Sequence, residues 1–225
     1  MQRREFTRTL TAATLSGLLP LHAWALSQGD AASGIREALS RGAEAAVSLL
    51  GRPDGFLGNP KARIPLPGYL NDAAKLLKFT GQGDRVDALV TAMNRAAEAA
   101  VPEARTLLID TVKNISVEDA LRIVRGGDNS VTEFFARQTR TPLGEKFLPI
   151  VTTATERVAL ADKYNAVAGK ASGLGLVKKE DANIQQYVTR KALDGLYFVI
   201  GEEEKKIRKD PIGTGSALLK KVFGG

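Results

Sequence analysis

The chain has no cysteine and one histidine, His22, in its 225 residues. Without thiols there is no disulfide and no thiolate nucleophile, and a serine nucleophile has no imidazole partner beyond residue 22. The His/Cys sets that bind zinc are missing as well. Long apolar runs are also scarce: no stretch reaches the ~18 residues that a membrane helix needs. There is no G-x-S-x-G elbow, and no glycine-rich loop ending in Lys-Ser or Lys-Thr. Gly169-Lys170 and Gly173-Leu174-Gly175 lack both the spacing and the preceding strand of a phosphate loop. No D-x-D-x-D-G calcium loop occurs. Catalysis, if present, has to use carboxylates, hydroxyls, lysine or tyrosine. No metal site and no cofactor are expected.

The first 25 residues follow an export pattern. Arg3, Arg4 and Arg8 make a basic start, a weakly apolar segment runs to Leu21, and Ala23-Trp24-Ala25 fits a small-x-small cut. Arg3-Arg4-Glu5-Phe6 is similar to a twin-arginine signal, although an ordinary secretory signal carrying two arginines is the alternative. Cleavage after Ala25 removes the only histidine and leaves about 200 residues, enough for one sizeable domain. With no cysteine near the cut there is no lipid anchor, so a soluble periplasmic product is expected. Residues 1–25 are thus read as the signal and 26–225 as a single helical domain.

The removed segment takes three arginines and one glutamate from the 32 basic and 25 acidic side chains, lowering the net charge from +7 to +5. That charge is spread along the chain, with no basic block interleaved with aromatics, so nucleic acid is not an expected partner. Anionic headgroups and envelope polymers remain open.

Hydrophobic periodicity predicts helices almost throughout. Ile35, Ala38, Leu39, Ala43, Ala46 and Leu50 place one over 34–50, stopped by Gly51. Arg52 to Gly68 follows with four prolines and three glycines. Ile64-Pro65-Leu66-Pro67 must be extended there, because a residue before proline is pushed out of the helical region. This is a long ordered loop or a strand-like arm, of a length often tied to function. A short helix from Leu70 to Leu77 ends at Gly81, and Asp84 is expected to cap the next, with Val86, Leu89, Val90, Met93 and Ala97 on one face. Pro102 suits the first turn of a helix carrying Ala104, Leu108, Val112 and Ile115. Ser116 with Asp119, and Ser130 with Glu133, have the spacing of capping boxes. The first box opens a helix with Val117, Ala120, Leu121 and Val124 inward, stopped by Gly126-Gly127. The second opens one with Val131, Phe134 and Phe135. Thr141-Pro142 is read as the start of a further helix reaching Ala161, kinked at Pro149. Gly173-Leu174-Gly175 breaks the chain. The longest pattern covers 180–209, with Ile184, Tyr187, Val188, Leu193, Leu196, Tyr197 and Ile200. Asp210-Pro211 ends it, and a short amphipathic helix from Thr214 carries Leu218, Val222 and Phe223. The fold class is therefore all-α: a multi-helix bundle or array of antiparallel neighbours with one long Pro/Gly-rich loop.

Four stretches, in this order, resemble the bacterial family DUF4197. They are Asp54-Gly55-Phe56-Leu57 with Ile64-Pro65-Leu66-Pro67; Met93-Asn94-Arg95-Ala96-Ala97-Glu98; Val117-Glu118-Asp119-Ala120; and Glu203-Glu204 through Ile207-Arg208-Lys209-Asp210-Pro211 with Val222-Phe223-Gly224. The resemblance covers 34–224. It implies an exported helical protein and carries no established activity. Members often have a lipobox, which this chain lacks.

Several constellations admit a functional reading beside a plain one. Asn94 and Glu98 are four apart and share a helix face next to the apolar stripe, with Arg95 beside them. They line a cavity, or they are a helix rim satisfied by a neighbour. Arg122 and Arg125 precede Gly126-Gly127-Asp128-Asn129-Ser130, which is an anion site at a helix start or simply a stop followed by a cap. The tract 202–210 offers Glu202–Lys206 and Glu204–Arg208 pairs on a solvated helix end, or an Arg208 or Asp210 that turns inward to clamp the proline-rich arm. A carboxylate pair such as Glu98 with Asp119 would suit hydrolysis of an envelope substrate, although no spacing singles the two out. The expected function is non-enzymatic binding of a lipid, another small amphipathic ligand or an envelope protein. Candidate ligand-binding residues are Phe56, Leu66, Asn94, Glu98, Arg122, Arg125 and Arg208. The alternatives are the carboxylate hydrolase and a structural or assembly role.

Overall fold

The computed structural model describes residues 28–175, 177, 178, 181 and 183–210. The signal-like segment and the helix expected from Thr214 lie outside the described residues. Among those described there are eight α-helices and no strand. They are α1 (Gln28–Leu50), α2 (Asn71–Phe79), α3 (Gly83–Ala100), α4 (Ala104–Lys113), α5 (Val117–Arg125), α6 (Ser130–Thr155), α7 (Ala159–Gly173) and α8 (Ile184–Lys209). Single 3₁₀ turns at Gly68–Leu70 and Val101–Glu103 lead into α2 and α4.

The middle of the bundle is α8 packed against α6, α1 and α3, with α3 also lying on α6. Its sequence explains the position. Ile184, Val188, Ala192, Leu193, Leu196, Tyr197, Val199 and Ile200 are buried and cover more than one face, as in a helix surrounded by neighbours. Two glycines let those neighbours close in. A Cβ at Gly195 would stand 2.8 Å from Cε1 of the fully buried Phe56, and one at Gly201 would stand 2.7 Å from Oγ1 of Thr132. The hydroxyls of Thr139 and Tyr197 meet at 2.8 Å inside the core and tie α6 to α8.

Several expectations need correction. The two helices predicted over 130–161 are one, α6, with Pro142 and Pro149 inside it. The buried series Phe135, Thr139, Leu143, Phe147 and Val151 runs at helical spacing straight past Pro142, so packing carries the helix through. Pro149 is exposed, where water can satisfy the carbonyl it frees. The pattern that was expected to reach Ala161 breaks at Thr155, and Val158 then leads into α7 in an extended conformation. Asp84 is not a cap: Gln82 holds that position without a side-chain bond, and Asp84 sits in the first turn. In α5, Val117 is 41 % exposed, while Ala120 and Ile123 are buried. That helix is turned to bring Ile123 beside Ile35 and Leu39 of α1.

The Gly195 contact yields a test against an ordinary helix glycine. Gly195→Ala should lower stability by about 1–3 kcal/mol, because the Phe56 ring has no room to retreat. Gly144→Ala, whose added Cβ would meet only Leu193 Cδ1 at 3.9 Å, should raise it by ~0.5–1 kcal/mol through helix propensity. Urea unfolding midpoints read both.

Candidate functional site

The arm between α1 and α2 has no ladder in which to pair its backbone, yet it buries Phe56 and Ile64. Proline keeps its last part, Ile64 to Pro67, out of helix, and the turns over 52–62 serve only part of its amides. Three more are met by one turn of α3. Glu98 Oε1 accepts from the amides of Phe56 and Leu57, both at 3.0 Å. Asn94 Oδ1 accepts from the Ile64 amide at 2.8 Å, and its Nδ2 donates to the Ile64 carbonyl at 2.9 Å and to Val90 at 2.8 Å. Arg95 donates to Glu98 at 2.7 Å and to Asp54 at 2.9 Å. The hydrogen bond to Glu98 raises the Arg95 pKa above its ordinary value. Asp54 has a positive φ of 63°, a conformation that aspartate tolerates and that turns the chain into the arm. Further along, the Tyr187 hydroxyl donates to the Pro65 carbonyl at 3.0 Å. Lys61 reaches Glu202 of α8 at the surface, and this contact lowers the glutamate's pKa.

A second buried cluster holds the α5–α6 junction. Glu204 accepts from the Val131 amide at 3.2 Å and from Ser130 Oγ at 3.3 Å. Arg208 binds the same carboxylate at 2.7 Å and donates to the Ile123 carbonyl at 3.0 Å and to Ser130 Oγ at 2.9 Å. A carboxylate thus sits on the N-terminus of α6 and a guanidinium on the C-terminus of α5, the signs that the helix dipoles favour. Burial pushes the Glu204 carboxyl above its usual range, against the opposing pull of Arg208. The expected Ser130–Glu133 box is replaced by this contact from a distant helix. Ser116 does cap α5, accepting from the Asp119 amide at 3.0 Å.

A third feature is an apolar groove of about 210 Å³. Val86 and Leu89 of α3 form its floor. Leu66 of the arm with Leu70, Ala74 and Leu77 makes one wall, and Leu160, Tyr164 and Val167 of α7 make the other. The Tyr164 hydroxyl has two partners. It donates to the Asp181 carbonyl at 3.1 Å and accepts from Tyr69 at 2.8 Å. Burial raises its pKa far above the ordinary phenol value, so the bond stays a neutral donor's. Tyr187 is pushed up to about 12, again chiefly by burial. Apolar groups are left in water around the groove: Val167 is 56 % exposed, and on α2 Leu76 and Phe79 are 64 % and 89 % exposed.

The seven candidate residues fall in separate places. Phe56, Asn94 and Glu98 belong to the arm and its α3 anchor, with Phe56 seated on Gly195. Leu66 alone lines the groove. Arg208 turns inward, but onto the α5–α6 junction rather than the arm. Arg122 is exposed and pairs with Glu118 and Asp119, and Arg125 is exposed on the same helix. The hollow of about 330 Å³ beside that turn carries both signs, with Asp119, Asp128 and Glu133 facing Arg122 and Arg137. Glu98 and Asp119 share no partner: one serves the arm and Arg95, the other Ser116 and Arg122. Among the described residues no group of three potential metal ligands occurs, and no helix is long and apolar enough to cross a membrane.

Sequence reasoning missed most of the groove. One signal was available in α2, where Leu76, Leu77 and Phe79 are too widely spread around a nine-residue helix for one packing face. Another was that Arg85, Arg157 and Lys163 have no acid three or four residues away.

A family model described as a protein of unknown function, DUF4197, matches residues 25–224, and the chain belongs to that family. No curated protein and no solved structure matches it.

Glu98→Ala should cost about 2–4 kcal/mol, because it strands two arm amides, one of them buried. Glu98→Gln keeps an acceptor and should cost less than half as much. Hydrogen exchange by NMR should show the Phe56 and Leu57 amides opening in Glu98→Ala while the α8 amides stay protected. Uniform loss of protection would refute a local role.

Proposed function

We propose that this DUF4197 protein is a non-enzymatic binding protein that takes an apolar or amphipathic molecule into the groove between α2 and α7. The groove carries this reading: an apolar floor and walls, open to solvent, with the arm's Leu66 at its edge. Small-molecule sites are concave, mostly apolar and largely preformed. Each methylene that moves into such a groove contributes ~0.8 kcal/mol. The anchoring of the arm by Asn94 and Glu98 supports a preformed wall. In this reading residues 26–225 form one domain that works as a soluble periplasmic protein. The basic start, the short apolar segment and Ala23-Trp24-Ala25 support export, and Arg3-Arg4 with Phe6 supports the twin-arginine route.

A second reading, docking of an envelope protein, draws on Phe79 and Leu76, whose exposure on α2 is typical of contact surfaces. The hydrolase reading gains nothing from the separate engagements of Glu98 and Asp119.

The neutral fluorescent probe N-phenyl-1-naphthylamine tests the groove. Purified protein should enhance its emission in a saturable way. Ala74→Trp, which fills the groove, should abolish the enhancement. Phe198→Ala, which alters an exposed aromatic on α8 outside the groove, should leave it intact. Equal enhancement by Ala74→Trp and the native protein, or none by either, would overturn the groove as the binding site.

A further inference from the structure

We infer that the groove's ligand is a single-chain amphiphile with an anionic head, and that Arg157, Lys163 and Arg85 receive that head. The inference rests on the groove reading and adds the class of ligand to it.

The groove does not end at its apolar lining. Arg85, Leu160 and Lys163 belong both to the groove and to an adjoining hollow of about 430 Å³. Ala88, Arg157, Val158 and Ala159 complete that hollow, so its charged lining consists of three cations and no acid. Glu156 and Asp162 are neighbours in sequence but are not part of the lining. Among the described residues, Arg157 and Lys163 enter no ion pair, and Arg85 is engaged only through one nitrogen to Gln82 at 3.0 Å. The first turn of α7 also opens at this place. Its cap, Val158, has no side-chain acceptor for the helix amides, which adds partial positive charge to that of the cations. The charge complement of this arrangement is an anion, and guanidinium groups bind carboxylate or phosphate oxygens in forked pairs.

The apolar part sets the other half of the ligand. A volume of about 210 Å³ is below the ~300–1,000 Å³ of sites that enclose drug-sized molecules. It suits one flexible chain lying along α3 between two helix walls, with its outer end reaching exposed Val167. One molecule that joins an alkyl chain to an anionic head meets both surfaces at once through the shared residue Leu160.

Isothermal titration of purified protein with dodecanoate and with dodecanol separates the head from the chain. Dodecanoate should bind roughly tenfold more tightly, and the difference should shrink as salt rises from about 50 to 500 mM. The double variant Arg157→Gln/Lys163→Gln changes two exposed side chains. It should bring dodecanoate down to the level of dodecanol and leave dodecanol binding unchanged. Equal affinity of the native protein for the two would overturn the head-group assignment and leave the groove standing. Failure of both to bind would overturn the groove reading as well. Sedimentation with phosphatidylglycerol vesicles, together with no saturable uptake of dodecanoate, would replace the inference by adsorption to a membrane surface.

Discussion

Everything on one side of this molecule depends on how a non-helical arm buries its backbone. Residues 52–67 lay Phe56 and Ile64 into a core made of helices, where an unpaired amide is costly. One turn of α3 answers that need with two side chains: Glu98 serves the Phe56 and Leu57 amides, and Asn94 pairs with both backbone groups of Ile64. Asn94 thereby acts as a one-residue substitute for a neighbouring strand. With the arm fixed, Phe56 can press on Gly195 of the central helix, and Leu66 is carried to the edge of the groove. The Met93–Glu98 stretch is therefore a structural splint whose effect reaches the groove along the same helix.

The same economy operates at the opposite end of α8. A helix start and a helix end meet at the α5–α6 junction, each with backbone groups that have no partner inside its own helix. Glu204 and Arg208, one turn apart on α8, supply the acceptor and the donors together. A buried ion pair is usually a poor source of stability because of desolvation. Here each charge also faces the helix end of opposite partial sign, which offsets part of that loss. The anion at the start of α6 is the protein's own carboxylate, Glu204.

The groove arises from unequal packing. The core helices α1, α3 and α6 all pack on α8, whereas α2 rests chiefly on α3, and α7 touches α3 and α8. The two outer helices flank α3 and leave Val86 and Leu89 as a shared floor between them. A short helix with apolar residues on several faces cannot bury them all against one neighbour, so α2 leaves Leu76 and Phe79 in water. Cations from α3, the α6–α7 link and the start of α7 then line the adjoining hollow.

Sequence by itself determined the all-α class, most helix positions, the long non-helical arm and the family. Apolar spacing, proline and glycine act locally, and each of those features is local. It also singled out Asn94 and Glu98 beside an apolar stripe, and Glu204 with Arg208 as an i,i+4 pair in a charged helix end. It could not say what they bind on other elements, because those partners lie between 30 and 85 residues away and spacing along one helix carries no information about another. The continuity of α6 through Pro142 was decided by burial on both sides of the proline, which outweighs one lost backbone bond. The groove and its cations were decided by tertiary structure alone. They come from the arm, α2, α3, the α6–α7 link and α7, and only the packing of those elements brings Leu66, Arg85, Arg157 and Lys163 to one place.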